Sequence, residues 1–179
     1  MDVEAVNKAL TSFVEKHKAA FTTISARQSQ LLELAAIVGV ELHYASNGYE
    51  TKIESPPNAQ AFVVKTNTRG HPGKYSLVHM RKENCNYEAH MNLLVRGAHD
   101  EGIYSVDVGI AKAGTVPKKI DKKVKWLYTE NEDLVSFAEV KRLTVYPMLL
   151  AQFVGIVHEI KPAFLHDTGA DFGQFTKVK

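Results

Sequence analysis

The chain has 179 residues, of which 23% are charged and 45% apolar, and its formal net charge is +2. These values exclude a disordered or low-complexity chain and predict one soluble domain with its own hydrophobic core. A net charge so close to zero does not demand a nucleic-acid partner, so any such partner has to be read from local charge.

The opening residues are acidic and contain no apolar h-region, so no secretory signal is expected. No apolar run approaches the roughly 18–20 residues that span a bilayer. The single cysteine, Cys85, cannot form an intrachain disulfide and fits a reducing, cytoplasmic setting. Residues 2–20 place Val3, Val6, Leu10, Phe13 and Val14 at three- and four-residue spacings, which predicts a helix with one apolar face and an acidic first turn. Ser25 is a candidate N-cap for a second helix. There Leu31, Leu34, Ala35, Val38, Leu42 and Ala45 share a face, and Asn47-Gly48 supplies a left-handed stop. The competing reading turns residues 40–54 into a hairpin on Asn47-Gly48. The unbroken helical spacing into Ala45 favours the helix.

From Tyr49 the texture becomes β-rich. YETKIE, QAFVVKT, KYSLVHMR, NYEAHMNLLVRG and GIYSVDVGIA are separated by turn-forming stretches and read as strands of a largely antiparallel meander. The basic segment VPKKIDKKVKWLYTENED follows. DLVSFAEVKRL reads as a further strand, and VYPMLLAQFVGIVHEI as a helix stopped before Pro162, with a polar tail beyond. The expected organisation is one domain over residues 1–179. Helices occupy 2–46, a sheet 49–111, the basic segment 116–128, and a strand and helix 133–165, giving an α/β or α+β class.

Two strands carry acids where strands disfavour them. Asp107 lies in the middle of β-branched IYSVDVGIA, with the small residues Ser105 and Gly109 on its own face and Tyr104, Val106, Val108 and Ile110 on the other. Glu139 and Lys141 in FAEVKRL are two apart, so on a strand they project together, flanked by Phe137 and Leu143. Burying such charges costs several kcal/mol unless they are paired or bind a charged ligand. If the two strands are neighbours, Asp107 and Glu139 could share a hard divalent cation, since Mg2+ takes few carboxylates and keeps several waters. The same Glu-x-Lys tripeptide recurs at Glu159-Ile160-Lys161. There it ends a helix, where residues two apart diverge and the dipole accounts for Lys161.

Asp107, then Glu139-x-Lys141 on a later strand, then a helix, resembles the PD-(D/E)XK nuclease superfamily of restriction endonucleases, junction resolvases and repair nucleases. The resemblance covers roughly residues 25–165, with Val106 standing where the family name records proline. It implies a restriction endonuclease-like mixed central sheet flanked by helices, and a Mg2+- or Mn2+-dependent endonuclease that hydrolyses DNA. Asp107 and Glu139 would hold the metal. Lys141 would orient or help deprotonate the nucleophile, or neutralise the phosphate. Many members add a glutamate on the helix before the sheet; Glu33 matches best, with Glu41 and Glu88 as rivals. The other reading is a non-catalytic nucleic-acid-binding or assembly module that keeps the fold.

Lys118, Lys119, Lys122, Lys123 and Lys125 form either a phosphate-contacting ridge or a solvated face, Trp126 and Tyr128 beside it could stack on bases or pack in the core, and Arg142 is a further candidate nucleic-acid contact. Gln152 and Tyr146 are candidates on the helix after Lys141. A homodimer would be needed to cut both strands symmetrically. His43, His79, His90 and His99 lack metal-ligand spacing, and HEIKP is not HExxH, which argues against a zinc hydrolase. RGHPGKYS is wrongly spaced for a P-loop, no GxSxG is present, and Cys85 carries no signal of a thiol nucleophile.

Overall fold

The computed structural model describes residues 3–16, 28–118, 127–141 and 147–166. Helix α1 (Val3–Lys16) carries Glu4 in its first turn, and its Phe13 ring packs edge-on against Phe62 at 5.3 Å. Helix α2 (Gln28–Ser46) ends as its sequence requires. Gly48 sits at φ +81°, its N–H donates to Ala45 O at 3.0 Å, and Tyr49 N–H reaches Tyr44 O at 3.1 Å. This double closure satisfies carbonyls that the last turn would otherwise leave unpaired. It also settles the choice between helix and hairpin in favour of the helix. Ser25 lies outside the described residues.

The buried stripe of α2 is Gln30, Leu34, Ile37 and Val38, while Leu31 and Ala45 are exposed. The expected stripe is thus rotated. LLELAAIVGV is apolar on nearly every side, so spacing alone cannot select the face that meets the sheet.

Five strands form one antiparallel sheet in the order β1-β2-β3-β4-β5: Glu50–Glu54, Leu77–Lys82, Cys85–Arg96, Ile103–Lys112 and Leu134–Ala138. The class is α+β. The expected mixed sheet is corrected: every pairing of these strands is antiparallel, and a parallel bridge joins only Val95 and Thr129 among the described residues. Short turns join β2 to β3 and β3 to β4 as antiparallel hairpins, while longer segments carry the chain from β1 to β2 and from β4 to β5. QAFVVKT is not a strand. The outer side of β2 is already taken by β1, and the 60–66 segment is tied instead through Ser76, whose N–H donates to Val63 O at 2.9 Å and whose Oγ accepts from Val63 N at 2.8 Å. A 310 turn, Pro72–Lys74, precedes β2. Helix α3 (Pro147–Ile160) stops before Pro162, and a single turn, α4 (Ala163–His166), follows where a polar tail was expected. Among the described residues no helix is long and apolar enough to cross a membrane.

Two cores flank the sheet. One joins Phe13, Leu34, Ile37, Val38 and Phe62 to Val78, Met80, Ala89, Met91 and Ile110. The other joins Leu93, Val95, Val106, Ala111, Val116 and Leu134 to Ile160 of α3. Neighbours in sequence, Ile110 and Ala111, fall in different cores, as opposite faces require. Yet Ala89 and Met91 belong to the first core, and Leu93 and Val95, at the same strand parity, to the second. The same change separates Ile110 from Val106. The strands therefore exchange faces around Asn92 and Asp107, the residues left between the pairs Met91–Val108 and Leu93–Val106. Asn92 has φ +49°, a left-handed backbone within a strand. Leu93 now turns toward Gly109, where an added Cβ would lie 2.5 Å from Leu93 Cδ2. The open space expected beside Asp107 at Gly109 is filled by this leucine.

Candidate active site

The last β4–β5 pair is Val108–Ala138, so Asp107 and Glu139 face each other one step beyond the ladder. On the other side of β4, Asn92 stands opposite Asp107. Asn92, Asp107 and Glu139 thus form one lateral row across neighbouring chain segments. Glu139 and Lys141 do not lie within a strand, as their sequence suggested, because β5 ends at Ala138. Past that point the backbone leaves the ladder: Val140 N–H donates to Asp107 Oδ2 at 2.7 Å instead of to a strand carbonyl.

Lys141 Nζ lies 2.8 Å from Glu139 Oε2 and 3.2 Å from Asp107 Oδ2, so a single ammonium bridges the two acids. The side chains of Glu139 and Asp107 are only 12% and 19% exposed, against 44% for Lys141. A water-facing pair on an edge strand would not bury its carboxylates this way. Burial pushes the Glu139 carboxyl up, Lys141 pulls it back, and Asp107 repels its charge; the net direction is upward. Burial alone would lower the Lys141 ammonium, but Glu139 and Asp107 together outweigh it and raise it.

Glu33 on α2 belongs to the same electrostatic group. Burial raises its carboxyl, the amide of Asn92 lowers it, and the charges of Asp107, Lys141 and Glu139 act on it in turn, leaving it raised. Its rivals are engaged elsewhere. Glu41 accepts from Thr51 Oγ1 at 3.5 Å. Glu88, fully buried, accepts from Gly114 N at 2.7 Å and pairs with Lys118 Nζ at 2.9 Å and His90 Nε2 at 3.5 Å. Burial would raise Glu88, but His90, Lys118 and Gly114 more than offset this and hold it at about 2.

Lys118 is accordingly committed to Glu88, with Glu54 at 3.9 Å, rather than standing clear as a phosphate contact. Lys119, Lys122, Lys123, Lys125 and Arg142 lie outside the described residues, as do Trp126 and Tyr146. Tyr128 packs under the Arg96 guanidinium at 5.7 Å. Gln152 is brought to the site: with Glu139, Lys141, Leu149, Leu150, Phe153 and Ile156 it lines a cavity of about 340 Å3. The second Glu-x-Lys behaves as a helix end should. Lys161 Nζ donates to Asn131 O at 2.7 Å while Glu159 meets His158 at 3.1 Å, so the two side chains part.

Sequence reading missed Asn92 and Lys65. Asn92 Nδ2 donates to Glu33 Oε2 at 3.0 Å and to Lys65 O at 2.8 Å, and Lys65 Nζ returns to Asn92 O at 2.6 Å. Lys65 is 4% exposed, and burial lowers its ammonium to about 8. An asparagine inside the apolar run HMNLLV was the available signal for the first. Nothing in FVVKT distinguishes Lys65 from a lysine at a strand end.

The candidate donor set is oxygen alone, from Asp107 and Glu139, with Glu33 coupled to them electrostatically. Among the described residues no three His, Cys, Asp or Glu side chains close into a cage. A hard cation that keeps several waters needs only one or two carboxylates, and oxygen is the donor type it takes. No protein-family model, curated protein or solved structure matches the chain.

Proposed function

We propose that the protein is a metal-dependent endonuclease that hydrolyses DNA phosphodiester bonds, with a PD-(D/E)XK site on a restriction endonuclease-like variant of the α+β fold. The observation that carries this reading is the sharing of Lys141 between Asp107 and Glu139, two partly buried acids from adjacent segments. Glu33 supports it from the neighbouring helix through its electrostatic coupling to all three.

Asp107 and Glu139 would hold Mg2+ or Mn2+, with Glu33 as a further ligand directly or through water. When bound, the ion supplies charge neutralisation at the phosphate and makes water easier to deprotonate. Lys141, the most exposed member of the trio, turns from the acids to the phosphate or to the attacking water. Val140 N–H keeps Asp107 in place during this exchange. Gln152 reaches the same cavity and contributes a neutral donor and acceptor to whatever part of the substrate enters it. Cutting both strands of a duplex calls for a homodimer, and a single free thiol, Cys85, suits a cytoplasmic enzyme.

A second reading, a non-catalytic DNA-binding or assembly module, draws on the same ion pair, because Lys141 already neutralises part of the acidic charge without a metal. Incubating the purified protein with supercoiled plasmid and Mn2+ separates the two. Nicking that EDTA stops and that Lys141→Ala removes supports the enzyme. DNA binding with no cleavage in Mg2+ or Mn2+ would establish the module.

A further inference from the structure

We propose that Asn92 is the positioning residue that fixes Glu33 on the candidate metal site, an assignment that rests on the nuclease reading above. Asn92 is 9% exposed and occupies the strand position opposite Asp107. Its left-handed backbone is one that asparagine tolerates better than most residues. Glycine or aspartate would tolerate it too, so the backbone alone does not account for the amide.

The hydrogen bonds do. Both Nδ2 hydrogens are committed, one to Glu33 Oε2 at 3.0 Å and one to Lys65 O at 2.8 Å. Flipping the amide would turn Oδ1 toward a carboxylate and a carbonyl, acceptor against acceptor, so one orientation is imposed. Lys65 Nζ, bonded to Asn92 O at 2.6 Å, clamps the residue from its other end. Asn92 therefore presents a single fixed donor to Glu33 from the same row that carries Asp107 and Glu139. Residues that orient a ligand in this way are worth about 10–100-fold in metal affinity.

The test is a double-mutant cycle on the full chain with Asn92→Gly and Glu33→Ala. Mn2+ affinity is read by calorimetry and stability by urea unfolding. Asn92→Gly keeps the backbone and removes the donor, and is expected to weaken Mn2+ binding about 10-fold or more. In the Glu33→Ala background it should weaken binding no further, because its effect passes through Glu33. Equal losses in both backgrounds would overturn the assignment.

Should Asn92→Gly fail to fold, Asn92→Asp replaces it. Setting an acceptor against Glu33, this variant should lower the urea midpoint with Glu33 present and lower it less in Glu33→Ala. Equal shifts in the two backgrounds would again overturn the proposal. Wild-type protein that binds Mn2+ yet leaves plasmid intact removes the nuclease reading while the affinity cycle still decides Asn92. Wild-type protein that binds no Mn2+ removes the metal site and overturns the proposal with it, whatever contact the urea cycle shows between Asn92 and Glu33.

Discussion

Val140 donates its backbone N–H to the carboxylate of Asp107 at 2.7 Å, so the acid of one segment sets the course of the other. This bond comes where β5 has ended, and Glu139 and Lys141, on either side of Val140, meet through the Lys141 ammonium beside Asp107. The Glu-x-Lys geometry owes more to Asp107 than to strand pleating.

That bond makes the choice of substitution at Asp107 informative. Asp107→Asn keeps an oxygen for Val140 and loses only charge, so its stability should stay within about 1 kcal/mol of wild type. Cleavage should fall by about 100-fold or more, in line with removing a key electrostatic group. Asp107→Ala leaves Val140 N–H unpaired and should also cost about 1–3 kcal/mol in urea unfolding. Undiminished cleavage by Asp107→Asn would rule out its role as a metal ligand.

Glu139 is raised above its ordinary 4.5 mainly by burial, so its protonated form favours the folded state. The stability linked to that proton is fully present below 4.5 and is lost as pH rises through the folded value. Glu139→Gln mimics the protonated form. Without metal it should be more stable than wild type at pH 7, with the difference closing as pH approaches 4.5. Thermal melts of both proteins across this range, in EDTA, give the answer; a gap that widens toward acid pH would contradict the assignment.

Gly109 accommodates the turned Leu93. A methyl group there meets Leu93 Cδ2 at 2.5 Å and Cβ at 3.0 Å, so Gly109→Ala should destabilise by about 1–3 kcal/mol. Since Leu93 follows Asn92 directly, the strain should pass to the site, and Mn2+ affinity should drop with stability. Unchanged urea midpoints would show that the face exchange is soft.

Glu88 and Lys118 are expected to be structural. Lys118→Met takes the ammonium from a fully buried carboxylate that keeps Gly114 N–H and His90, and should cost roughly 1–3 kcal/mol. Because Glu88 is held at about 2, its contribution is present above 4.5 and disappears as pH falls from 4.5 toward 2. The wild-type acid transition should lie partly in that window, and Glu88→Gln should flatten it. Its effect on DNA binding should follow only the loss of folded protein.

Much of the candidate site was legible because its signals are local and chemically costly. Asp107 in a β-branched run and Glu139 two residues before Lys141 are placements that strand chemistry disfavours, and they drew attention without any knowledge of the fold. Asn47-Gly48 announced a helix end whose hydrogen bonds are all within a few residues. β-rich runs bounded by turn-forming stretches located β2, β3 and β4 nearly to their ends. QAFVVKT is a run of the same kind and is not a strand, because pairing depends on a free edge, which no property of the segment reveals.

What the sequence determined alone is most of the elements and the presence of misplaced charges, since spacing and propensity act over a few residues. What tertiary structure decided is which charges meet. Glu33 was chosen over Glu41 and Glu88 by the packing of α2 against the sheet, and Glu88 was claimed by Lys118 and Gly114, remote in the chain. The exchange of faces at Asn92 and Asp107 is likewise a property of two strands together. A left-handed residue can sit in one ladder only where its neighbour, here Gly109, yields the space.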